Sequence, residues 1–407
     1  MKQRYLSKLI AGALFASVGA ASAQGISNDS VNIGVLTDLS GIYSAVEGPG
    51  AVLAAEMAVA DFGGTVLGKP IKVISADHQS KADLSASKAR EMFERDNVDL
   101  LVGNVASSSA LAAMEVADQL KRVIIVTGAA SLPITNERCN AYTVHYVYDT
   151  YALANGTAAG VLASGKKTWF FLTADYVFGH TLQRDATEVI DANGGKVLGS
   201  VLHPIKTTDF ASYLSQAQSS KAEVIALANA GGDTIGSIKQ AAELGIVGSK
   251  QTIVPLLMFT SDVQALGLQD TQGMNFTVGW YWNYSDANRK FADRFMKKFG
   301  GKAPTSPQAG VYSATLNYLQ AIKAAGTDNS DAVMKQLKSK PIDDGLFKGV
   351  IRADGKFEHD MYLLQVKTPK ESKNKNDIAN VLQVIPAKNA TLPLSKSKCV
   401  LVTGAKS

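Results

Sequence analysis

Between residues 31 and 277, short β-branched runs alternate with stretches whose apolar positions recur every three or four residues. The runs at 31–36, 71–75, 100–102, 123–126, 168–172, 197–202 and 224–227 read as strands. The segments between and after them, 52–62, 80–95, 110–121, 152–163, 180–193, 210–220 and 234–244, read as helices. A helix after nearly every strand supplies the crossover that parallel pairing requires, so the pattern predicts an α/β fold of parallel sheets flanked by helices. Asn193-Gly194-Gly195 and Leu244-Gly245 are good helix stops. The rhythm runs once to about residue 148 and restarts at Tyr151, which divides the chain into two α/β halves. Helices at 286–299, 306–325 and 330–338 follow. Asp354-Gly355, between 350–351 and Phe357, then signals a hairpin, with 362–366 as a further strand. The stretch 370–398, rich in Lys and Asn, reads as a surface extension.

The first residues tell where the protein works. Lys2, Arg4 and Lys8 precede an apolar stretch at 9–19 and the small-residue exit Ala21-Ser22-Ala23. That is the layout of a secretory signal peptide over residues 1–23. Its apolar part is shorter than the roughly 20 helical residues that a hydrocarbon core of about 30 Å demands. The expectation is therefore an exported, periplasmic protein. With 46% hydrophobic and 19% charged residues the 407-residue chain suits a compact, two-domain globule. The formal net charge of +5 falls to near neutral once the leader's three basic residues are removed, so charge recruits neither nucleic acid nor an anionic membrane. Cys139 and Cys399 are the only cysteines, and in an oxidising compartment such a pair is expected to be bonded.

Motifs for chemistry are missing. Gly63-x4-Gly68-Lys69 imitates a phosphate-binding loop, but Pro70 stands where a hydroxyl must reach a metal ion. No Gly-x-Ser-x-Gly elbow occurs, and Ser107-Ser108-Ser109 has no evident histidine partner. His78, His145, His180, His203 and His359 lack metal-ligand spacing and read as surface or lightly buried residues. The reading is a binding protein, not an enzyme, with no cofactor and no metal. Tyr142, Tyr146, Tyr148 and Tyr151 with His145 form an aromatic-rich passage between the halves, read as packing.

Five blocks carry a family resemblance: residues 32–36 running into Leu39-Ser40-Gly41, then 103–109, 127–131, 175–179 and 308–312. In order and spacing the chain resembles a type I periplasmic solute-binding protein of the branched-chain amino-acid class, the receptor component of an ABC importer. The resemblance implies two lobes joined by three hinge crossings, near 147–149, 279–284 and Gly345. Lobe I would hold 24–148 and 282–345, lobe II 149–281 and 346–392, and a tail at 393–407 would return to lobe I. It also implies a monomer that delivers its ligand to a membrane permease with cytosolic ATPase subunits.

In open α/β sheets a ligand lies beyond the C-terminal strand ends, where these blocks fall. Ser107 and Ser108 open a helix and offer hydroxyls and N–H groups to a carboxylate. The resembled family grips the carboxylate with this loop and the next. There, backbone N–H groups of Ala129 and Ala130 remain usable, and Ser131 stands one place after the family's usual hydroxyl. Phe178 matches an aromatic that closes over the ligand, Asn229 offers an amide, and Tyr43 and Tyr151 are further candidates. Phe259 occupies the stretch where amino-acid-binding members place an acid for the ligand's ammonium. Asp175, Asp233 or Asp262 would have to substitute from elsewhere. The preferred ligand is therefore an aromatic or apolar organic acid without an amine. A branched-chain or other apolar amino acid is the alternative, and a small-solute-sensing receptor or cleft enzyme stays open as another class.

Overall fold

The computed structural model describes residues 25–404, so the expected leader at 1–23 lies outside the described residues. In the first half, β1 (Val31–Thr37) is buried along its whole length because parallel neighbours flank it. These are β3 (Lys69–Asp77) and β4 (Leu100–Gly103), with Ile33 opposite both Val73 and Leu100. β5 (Val123–Val126) and β6 (Thr143–His145) continue the parallel order. β2 (Thr65–Val66) pairs antiparallel at the far edge, giving β2-β3-β1-β4-β5-β6. The turn containing Gly63 and Gly68 thus leads into β2 and β3.

Alternate side chains of these strands feed two cores. Ile33, Val35, Leu100, Val102, Val123 and Ile125 face one, whereas Leu36, Leu101, Ile124 and Val126 face the other. Helices α1 (Gly48–Phe62) and α2 (Ala82–Glu94) supply one face each, and α3 (Ser107–Gln119) packs beside α2. Because both faces are covered, the strands read as continuous apolar runs rather than as an alternation.

The passage into the second half is α4 (Thr150–Leu153), a π turn at Ala154–Ala158 and α5 (Ala159–Ala163). β7 (Thr168–Ala174), β8 (Lys196–His203), β9 (Val224–Ala228) and β10 (Thr252–Pro255) form a parallel sheet in the order β10-β9-β7-β8. Between them run α6 (Val177–Ala192), α7 (Ala211–Ser219) and α8 (Gly232–Glu243), followed by α9 (Thr260–Leu266) and α10 (Leu268–Thr271). After β11 (Asn275–Val278), helices α11 (Asp286–Lys298), α12 (Ser306–Ala325) and α13 (Ser330–Ser339) return to the first half. There α12 packs on α1, and Arg294 of α11 bridges to Asp61 at 2.6 Å.

The expected hairpin is present: β13 (Lys348–Ile351) pairs with β14 (Phe357–His359) and with β12 (Ile342–Asp343). β15 (Met361–Val366) pairs antiparallel with β11 on one side and β16 (Ala379–Ile385) on the other. The stretch 370–398 is thus more than a surface extension. A register shift at Leu363/Leu364 breaks the inward alternation of β16, only Ala379 and Ile385 are fully buried, and the polar residues before and after its largely apolar run mask the strand.

Three separate segments meet at one place. His359 Nε2 lies 2.8 Å from the carbonyl oxygen of Val147, and any Cβ on Gly279 would collide with that same oxygen. Tyr146 stacks on Phe357 at 4.4 Å beside this junction. Cys139 and Cys399 are bonded, and the Lys398 amide donates to Asn136 Oδ1 at 2.6 Å, which fastens the tail to the first half. The histidines depart from expectation: His78, His145, His203 and His359 are buried, and His180 alone is exposed. Each buried ring sits against a backbone group, and desolvation pushes the acidities of His78, His145 and His359 down to about 4, which keeps them neutral.

Candidate functional site

The loops that leave the C-terminal ends of β1, β4 and β5 face those that leave β7, β9 and β10. Together they line a narrow cavity with about 240 Å³ of space between them, part of it open to solvent. The first half contributes Tyr43, Val105, Ser107, Gly128 and Ala130, and the second contributes Tyr176, Phe178, Ala230, Leu257 and Phe259. Tyr148, just past the first crossing, completes the wall.

The halves touch across this space. The hydroxyls of Tyr43 and Tyr176 lie 2.8 Å apart, the Gly232 amide donates to Ile42 O at 3.2 Å, and the rings of Tyr148 and Phe259 are 6.0 Å apart. The cleft is shut.

At the first-half end the groups are anion-seeking. No side chain caps α3, which leaves its first-turn N–H groups without intrahelical partners, and the helix dipole adds positive potential there. Ser107 Oγ accepts the Ser131 amide at 3.3 Å, so its own hydrogen is free to donate. The Ala130 amide has no acceptor among the described residues. Ala129 behaves otherwise than expected: its N–H donates to Asn104 O at 2.9 Å and is not available to a ligand.

Beneath this end lies an acid that sequence reasoning did not single out. Glu47 is fully buried and accepts from Thr37 Oγ1 at 2.7 Å and Thr127 Oγ1 at 2.6 Å. Gly128 is required above it, since a Cβ would stand 2.7 Å from Glu47 Oε1 and from Val105 Cα. With no cation beside it, burial pushes the Glu47 carboxyl up to about 7, against the two hydroxyl bonds that pull it down.

Of the residues picked from sequence, Tyr43, Ser107, Ala130, Phe178 and Phe259 line the one cavity. Ser108, Ser131, Tyr151 and Asn229 do not. Ser131 keeps its hydroxyl buried behind Ser107 without a partner. Asn229 is spent inside its own half, accepting from Thr234 Oγ1 at 2.8 Å and contacting His203. Tyr151 is partly buried on α4, away from the wall. Tyr148 and Tyr176 are the notable omissions. Tyr148 was grouped with hinge packing, yet its hydroxyl donates to Gly128 O at 2.5 Å and orients the ring along the cavity. Tyr176 lay inside a matching block, beside the aromatic that drew attention.

No carboxylate lines the space. Asp262 Oδ2 accepts the Phe259 amide at 2.9 Å, capping α9, and burial lifts its acid to about 7. Asp175 is exposed and bonds His180 at 2.8 Å. Asp233 accepts the Lys206 amide at 3.1 Å through Oδ2, and its other oxygen has no partner.

Comparisons with known proteins agree with this architecture. A crystallised periplasmic binding protein from Burkholderia mallei is 52% identical, with 92% of this chain and 99% of that one covered and a TM-score of 0.90. A branched-chain amino-acid ABC transporter periplasmic ligand-binding protein from Burkholderia xenovorans is 37% identical, covering 92% of this chain and 100% of that one at a TM-score of 0.82. The Leu/Ile/Val-binding protein homolog 6 of Brucella melitensis is 27% identical over 305 residues, 73% of this chain and 77% of that one. The periplasmic binding protein family model matches residues 30–375. Among the described residues no helix is long and apolar enough to cross a membrane. With two α/β halves shut around a small cavity, this chain belongs to the periplasmic binding protein family, in the branched-chain amino-acid class of ABC-transporter solute-binding components.

Proposed function

We propose that the protein captures a small organic acid lacking an amine, aromatic or apolar in its body, and hands the closed complex to an ABC permease. The observation that carries the reading is the absence of any carboxylate from the cavity wall, with Phe259 in the stretch where the resemblance implies an acid. A buried ammonium without a counter-charge costs several kcal/mol, enough to abolish useful affinity. Ser107, the Ala130 amide and the start of α3 suit a carboxylate, and Phe178, Phe259, Val105 and Leu257 suit an apolar body. A solute-binding protein of this fold from Rhodopseudomonas palustris, 18% identical, is solved in complex with benzoate. That likeness speaks for the fold alone.

Closure brings the two half-sites together, so the guest's contacts favour the shut population. We take the hinge to run through Val147, Gly279 and His359, which moves the third crossing from Gly345 to His359. The support is that β13–β14 pairs with β12 and bridges to His145, on the first-half side of the junction. The leader is removed on export, and the mature chain works as a monomer. N-terminal sequencing of periplasmic protein starting at Gln24 checks the first, and sedimentation the second.

A second reading has one observation in its favour: the relatives named Leu/Ile/Val-binding proteins. Calorimetry with leucine, valine and benzoate-like acids separates the two. Binding of the acids supports the proposal, and tight binding of leucine alone overturns it.

A further inference from the structure

We infer that the guest carries a second oxygen besides its carboxylate, a hydroxyl or keto group that accepts a hydrogen bond from the Tyr43–Tyr176 pair. The inference rests on the carboxylate reading above and narrows it from plain hydrocarbon acids to oxygenated ones.

Counting hydrogens leads there. The two phenols own two hydroxyl hydrogens, and the single contact between their oxygens, at 2.8 Å, uses one. Neither oxygen has another hydrogen-bond partner among the described residues, so one O–H is left without an acceptor. The nearby acids do not take it. Asp233 Oδ1 is not within hydrogen-bond reach of either phenol. Asp38 spends its oxygens on the Gly41 and Tyr43 amides and on Ser80 Oγ. The third tyrosine of the wall is already committed, since Tyr148 donates to Gly128 O.

Both phenols line the cavity, Tyr43 only 3% exposed and Tyr176 half-buried. The cavity therefore has two separate donor stations. One is Ser107 with the Ala130 amide and the start of α3, which suits a carboxylate. The other is the tyrosine pair, contributed by the loops beyond β1 and β7. Of the rest of the lining, Val105, Ala230, Leu257 and the two phenylalanines offer no side-chain polar atom. A buried donor left unmatched is costly, so a site built this way discriminates against an analogue that lacks the matching oxygen.

The test is calorimetry of the full mature protein with chain-matched acids: benzoate against its three ring-hydroxylated forms, and pentanoate against its 2-, 3- and 4-oxo forms. At least one oxygenated acid is expected to bind about tenfold or more tighter than its parent. Because only one hydrogen is spare, Tyr43→Phe or Tyr176→Phe alone still leaves a hydroxyl free to donate. Each single variant is expected to weaken all acids together, through the lost contact between halves, and to keep the ratio. The double variant is expected to bring parent and oxygenated acid within about twofold of each other. Equal affinity for parent and oxygenated acids in the unmodified protein overturns the inference, as does a ratio that survives the double variant. The ratio is taken within one protein, so a general loss of folded material does not mimic it. Failure of every acid to bind sinks the carboxylate reading itself, whereas tight binding of the plain parents with no gain for any oxygenated form sinks this inference alone.

Discussion

Replacing Glu47 by glutamine removes a buried titration while keeping the side chain's shape. Its carboxyl is raised from 4.5 to about 7 by burial, so the folded chain holds the proton more tightly than the unfolded chain. The stabilisation is fully present below about pH 4.5, declines as pH rises, and is gone above about 7. At 1.36 kcal/mol per pH unit the two values imply roughly 3 kcal/mol in all, of which about 2.5 falls between pH 5 and pH 8. Above neutrality the folded protein keeps an ionised carboxylate under Gly128 with two hydroxyl donors and no cation. Glutamine does not titrate. The stability of Glu47→Gln relative to the unmodified protein is therefore expected to climb by about 2.5 kcal/mol from pH 5 to pH 8, whatever the offset at pH 5. Urea unfolding followed by tryptophan fluorescence, ligand-free, at four pH values measures it, and subtraction cancels every other titrating group. Two parallel curves, differing by a constant to within about 0.5 kcal/mol, would refute the reasoning.

Three further outcomes follow from the same geometry. Cys399→Ser opens a closed loop of 260 residues and is expected to cost up to about 5 kcal/mol, read as a lower Tm that reductant no longer changes. Ser107→Ala deletes the donor proposed for the guest's carboxylate and the acceptor of the buried Ser131 amide, so affinity for acids should fall roughly 10- to 100-fold in calorimetry and Tm of the free protein should drop modestly. Phe259→Glu puts a carboxylate where the wall has none, so acid binding should be lost and leucine binding gained; unchanged selectivity would show that position 259 does not set it.

Much of the fold was legible because parallel strands covered on both faces are apolar along their whole length. β1 and β9 announce themselves in this way, and so do the glycine stops after α6 and α8. The polar-rich region after residue 370 was not legible. β16 lies at a sheet edge and carries the extra residue of a bulge, so no alternation marks it, and its short apolar run is hidden among polar neighbours. Histidines misled for a related reason. A neutral imidazole against a backbone carbonyl is buried without penalty to its neighbours, and nothing in the sequence distinguishes His145 from an exposed ring.

At the site, loop blocks located Ser107, Ala130 and Phe178 because each follows a strand end. Tyr148 was invisible as a cavity element, and Glu47 as the buried acid beneath Gly128. Tyr148 lines the wall with its hydroxyl bonded to Gly128 O, and Glu47 fits behind the wall because Gly128 and Gly103 have no side chains to exclude it. Both depend on contacts between segments far apart in the chain, which a one-dimensional pattern does not encode.

On the proposed function the cleft takes an acid and has no place for an amine. Calorimetry with pairs that differ only in that group tests it most directly: leucine against 4-methylpentanoate, and phenylglycine against phenylacetate. The account predicts that the amine-free member of a pair binds at least about a hundredfold tighter. Tighter binding of leucine or phenylglycine than of its amine-free counterpart would contradict it.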